Sequence, residues 1–108
     1  MHAIRFHLRA PTHRDGPPPP SPETLRSGLA CGLPAGARIE HAHLQVGPGT
    51  VDGVAFVLAD DLLTAEAALT LACTALTEPT GPLPGWHLAH CALDTLLALG
   101  VHELPVFP

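Results

Sequence analysis

The chain has no lysine, no tyrosine and no asparagine, a single tryptophan (Trp86) and only three cysteines. Each shortage excludes something. The basic residues are five scattered arginines, and the net charge is −5. A nucleic-acid-binding domain carries a basic patch or stripe, so no DNA or RNA partner is expected. One tryptophan and no tyrosine leave little from which to build a stacking platform for bases or sugars. Cys31, Cys73 and Cys91 are odd in number, widely spaced and without a C-x-x-C. That argues against a disulfide framework and against a zinc ribbon. No apolar run approaches the roughly 18–20 residues of a membrane span, so no membrane role is expected. The N-terminal MHAIRFHLRAPTHRDG lacks the apolar core and cleavage site of a signal peptide. The expectation is a reduced, cytoplasmic protein, and the abundance of Ala, Leu, Pro and Gly suits a GC-rich bacterial genome.

What is present fits one domain, since 108 residues suffice for one core and not two. Residues 3–9, AIRFHLR, alternate: Ile4, Phe6 and Leu8 against Arg5, His7 and Arg9, a half-buried strand. Residues 10–20 form a proline-rich loop that favours polyproline II. Ser21-Pro22-Glu23 supplies an N-cap, a first-turn proline and an acidic residue at the positive end of a helix dipole. Gly32 and Pro34 end that short helix. From Glu40 to Val46, Ala42, Leu44 and Val46 alternate with His41, His43 and Gln45. Gly47-Pro48-Gly49-Thr50 is a turn cluster, and VDGVAFVLA is a strand apolar on both faces. Asp60-Asp61 caps the strongest helix, with Leu62, Ala65, Leu69, Ala72 and Leu76 at helical spacing. Glu78-Pro79 stops it. Residues 86–99 read either as a strand beginning at Trp86 or as one helix, because a short apolar run has no decisive period. The strand is preferred, since it pairs the first strand.

The element order βαββαβ resembles the ferredoxin-like sandwich: an α+β fold with a four-stranded antiparallel sheet and two helices on one face. The resemblance rests on order alone and describes shape, since no iron–sulfur cysteines are present. It implies a domain over residues 1–93 and a short C-terminal extension over 94–108. It also implies that strand 4 lies beside 1, 1 beside 3 and 3 beside 2. The helix-covered set would be Ile4, Phe6, Leu8, Ala42, Leu44, Val46, Val54, Phe56, Leu58 and Leu88. The opposite face would show Arg5, His7, Arg9, His41, His43, Gln45, Ala55, Val57, His87, Ala89 and Cys91.

Three functions compete. Small apolar residues (Ala55, Val57, Ala89) ringed by polar ones (His7, His41, His43, with Cys91) fit a protein–protein interface. A non-enzymatic accessory protein that self-associates through this face, and partners a larger bacterial enzyme or assembly, is the leading expectation. No cofactor is expected. The second is an enzyme. Dimeric α/β-barrels built from ferredoxin-like units include cofactor-independent monooxygenases of secondary metabolism, which by analogy implies a pocket near Trp86 with His90 as its polar group. The third is a metal-binding module. His41-x-His43 on a strand is a chelating spacing, but in this strand order His87 would lie about 14 Å away and His7 about 10 Å, with no acidic ligand at an obvious spacing. Cys31 and Cys73 read as small buried helix residues.

Overall fold

A computed structural model describes residues 1–11 and 18–94, and the elements run β1 (His2–Arg9), α1 (Pro22–Gly32), β2 (Arg38–Gly47), β3 (Thr50–Leu58), α2 (Leu62–Leu76) and β4 (His87–Leu93). The fold is α+β. One four-stranded sheet has the order β2-β3-β1-β4 with every neighbouring pair antiparallel. Residues 87–93 are therefore a strand, not the start of a helix. The expectation for residues 95–108 lies outside the described residues, as does the middle of the proline-rich loop.

The helices begin where the sequence places their caps. Ser21 Oγ accepts from the Thr24 backbone N–H at 3.3 Å, with Pro22 and Glu23 in the first turn. Asp61 accepts from the Thr64 N–H at 2.7 Å. That bond, and a second from the Thr64 hydroxyl, hold the Asp61 carboxyl below its ordinary range. The two helices pack closely because α1 turns glycines toward α2. A Cβ on Gly28 would meet Leu76 at 2.6 Å, and one on Gly32 would meet the Ala72 Cα at 3.0 Å. Leu25 and Leu29 of α1, and Ala65, Leu69, Ala72, Cys73 and Leu76 of α2, are buried together with Ile4, Phe6 and Leu8 of β1. Leu63 and Leu71 of α2 stay exposed.

The phase of β3 is the reverse of the expectation. Ile4 pairs with Ala55, Phe6 with Gly53 and Leu8 with Val51, so Val51, Gly53, Ala55 and Val57 lie under the helices. Ala55 and Val57 are fully buried, at 0 % exposure, and do not belong to the open face. Val54, Phe56 and Leu58 point the other way. The reason is steric. The Phe6 ring occupies the space above Gly53, where any Cβ would run into it and into Leu44 Cδ2. An aromatic ring over a cross-strand glycine accepts only one phase of β3.

Both outermost strands are bulged. The register of β2 on β3 shifts between Ile39 and His41, leaving Glu40 as the extra residue. The register of β4 on β1 shifts at His7/Leu8, leaving Ala89 extra. A bulge changes the face on which later residues emerge. Ile39 therefore packs against the core although His41, two residues on, points outward opposite Phe56. In β4, Leu88 and Cys91 both pack against the core, while His90 pairs with His7 on the outer side. Cys91 is thus turned inward, contrary to expectation, because Ala89 adds one residue to the count.

Two outcomes test this packing. Gly53→Val should lower unfolding free energy by about 1–3 kcal/mol in urea titration, the usual cost of overpacking. At pH 7, Asp61→Ala should lower the thermal midpoint by a few degrees and Asp61→Asn by less, because Asn also caps. Since folding lowers the Asp61 pKa, its charge-dependent stabilisation is full above the ordinary value of about 4 and is lost as pH falls through the lowered one. The wild type and Asp61→Asn should therefore converge in thermal stability as the solution is acidified below about pH 4.

Candidate functional site

The chemistry divides between the two sides of the sheet. The outer face carries most of the chain's imidazoles. His7 on β1 stands opposite Asp52 on β3, and its Nδ1 lies 2.6 Å from the carboxylate. Arg5, on the same side of β1, pairs with Asp94 at 3.1 Å. Asp94 is itself buried and is tied to the start of β1 by its backbone N–H, which donates to the Ala3 carbonyl at 2.8 Å. His41 and His43 are exposed on β2. Their Nε2 atoms lie 3.1 Å apart, with ring centroids 4.5 Å apart and planes nearly perpendicular at 86°. His41 also sits 6.2 Å, centroid to centroid, from the Phe56 ring. His87 and His90 of β4 are exposed and pair with Arg9 and His7.

The structure thus brings His41 and His43 together and keeps His7 apart, held by Asp52. Ala89 is exposed, as expected of the outer side, but as the bulge residue. Ala55, Val57 and Cys91 leave the proposed surface for the core side. Their place is taken by Val54, Phe56 and Leu58, all partly exposed. Among the described residues no three of His, Cys, Asp and Glu gather closely enough to hold a metal ion.

The inner side contains a feature that the sequence alone did not suggest. Cys73 of α2 and Cys91 of β4 lie close enough to shift one another's protonation. The Cys73 thiol keeps its proton and donates it to the Cys91 sulfur. This pulls the Cys91 thiol down to about 7, aided by the Thr70 hydroxyl and opposed by burial and by the Glu66 charge. Burial and the neighbouring sulfur raise Cys73. Glu66 secures the same seam, accepting the Leu93 backbone N–H at 2.8 Å. Spacing hides the pair, since the two cysteines are 18 apart in sequence and meet only through the bulge at Ala89. Cys31, expected to be buried, is exposed.

Trp86 does adjoin a cavity, of about 610 Å³, at the end of the sheet. Its walls are Trp86, Leu83, Val46, and the prolines 11, 18, 19, 20, 48, 82 and 84, with alanine and glycine backbone between them. Among the described residues, no titratable side chain lines it. His90 is on the outer side of the sheet and does not supply one.

No family model, curated protein or solved structure matches the chain.

Iodoacetamide should modify Cys91 with a pH midpoint near 7, because the thiolate is the nucleophile. Cys73→Ala removes the donor and should move that midpoint upward toward the ordinary thiol range of about 8.5. Peptide-level mass spectrometry across a pH series reads both.

Proposed function

We propose that this is a small, non-enzymatic interaction protein that associates with a second copy of itself through the outer sheet face, as an accessory to a larger assembly. The observation that carries the reading is the composition of that face. Val54, Phe56 and Leu58 form a partly exposed apolar line along β3, with His41 and His43 of β2 on one side and Arg5 and His7 of β1 on the other. An apolar centre with a polar rim is the anatomy of a protein interface. Full burial of Phe56 alone would contribute about 1.5–3 kcal/mol at most. The strand order, with both helices on the opposite side, supports a ferredoxin-like architecture in which this is the free side of the sandwich.

The size of the face sets the strength. Four strands at about 4.8 Å spacing and some eight residues at about 3.3 Å each cover roughly 500 Å². Two such faces together bury about 1,000 Å², near the lower limit for a specific interface. The expected association is therefore in the micromolar range. The face does not carry a large repulsive charge, because Arg5 is paired with Asp94 and His7 with Asp52.

The enzymatic alternative is less well supported, because among the described residues the Trp86 cavity offers apolar walls and no acid or base.

Sedimentation equilibrium between 1 and about 100 μM should show a monomer–dimer equilibrium with a dissociation constant of order 10 μM. Phe56→Glu, at a position outside the helix-covered core, should leave the fold intact and shift the chain to monomer. A wild type that stays monomeric across this range would sink the reading.

A further inference from the structure

The contact between His41 and His43 has the dimensions of a chelate. Two nitrogens 3.1 Å apart, each about 2.0–2.1 Å from a zinc ion, subtend roughly 100° at the metal, between the octahedral and tetrahedral angles. The ring centroids are 4.5 Å apart, farther than the nitrogens. The two rings therefore lean together at their Nε2 ends, as they must to share an ion. Among the described residues no carboxylate engages either ring, whereas His7 is held by Asp52. The bulge at Glu40 places this pair on the outer side, next to Phe56.

The described residues of one chain supply two ligands, with no third His, Cys, Asp or Glu among them standing close enough. A closed zinc site takes four. We propose that His41 and His43 form half of a zinc site, completed by the same two histidines of a second copy across the outer sheet face. This rests on the self-association reading. A two-fold axis crossing the strands at right angles lays β2 over its counterpart and sets pair against pair. Sheets packed face to face lie about 10 Å apart, so the midplane is about 5 Å from each backbone, within reach of an imidazole. Charge favours the ion. Two copies of net charge −5 sum to −10, and four neutral imidazoles leave the zinc its full +2 between them. Binding forms four nitrogen–zinc bonds from lone pairs. It releases zinc-bound waters and has no redox step.

The test uses the full chain without a histidine tag, dialysed against EDTA and titrated with zinc chloride. Isothermal calorimetry and metal analysis should give one zinc per two chains. Zinc should tighten the dimer at least about tenfold in sedimentation equilibrium, as any ligand specific to the dimer does. His41→Ala and His43→Ala should each abolish both effects, with His41→Gln as a second, more conservative variant at that position. The His2→Ala variant, on the helix-covered side of the sheet opposite Val57, should retain both effects. A dimer that forms equally well in EDTA and takes up no zinc overturns the site while leaving the face reading intact. Zinc uptake at one ion per chain by a lasting monomer overturns the shared site and the face reading together. Uptake that survives both His41→Ala and His43→Ala overturns the assignment to this pair.

Discussion

The packing of Phe6 over Gly53 decides which side of β3 faces the helices. With no side chain at Gly53, the ring occupies the space a Cβ would need, and Val51, Ala55 and Val57 are drawn into the core beside it. Everything on the outer side follows. Asp52 meets His7, Val54 stands opposite His43, and Phe56 stands opposite His41. Had β3 adopted the other phase, alanine and valine would face outward and the histidine pair would have no aromatic floor. A missing Cβ on the inside thus determines the chemistry of the outside.

Much of this architecture is legible in the sequence, and what is not has physical causes. Period and caps locate the first five elements, and the need to pair β1 favours the strand over the helix for the sixth. Ser21 and Asp61 act as N-caps, and the apolar stripe of α2 is the one that packs. The alternation of β1 and of residues 42–46 in β2 also matches, because each has one clearly apolar and one clearly polar face. β3 is different. It is apolar on both sides, so alternation contains no phase, and only the cross-strand partner of Phe6 supplies it. β4 is misread for another reason. The inserted Ala89 breaks strict alternation, so counting by two from Leu88 sends Cys91 outward when it belongs inside, and sends His90 inward when it belongs outside.

The site residues divide in the same way. His41 and His43 are neighbours on one strand, and local spacing suffices to bring them onto one face. The contact between Cys73 and Cys91 depends on helix packing, on strand order and on one bulge together. Long-range pairings of this kind leave no local trace. The outcome is a sheet with soft sulfur chemistry on its covered side and nitrogen donors on its other side, separated by a single layer of backbone.

The two bulges have a further consequence. β2 and β4 form the margins of the sheet, and an uninterrupted margin is a template on which other chains can add strands without limit. Glu40 and Ala89 break the regular spacing of peptide groups along both margins, which hinders open-ended fibre growth in either direction. The same inserted residues that aim the histidines therefore also discourage amyloid-like stacking, leaving closed, countable assemblies as the favoured form of self-recognition.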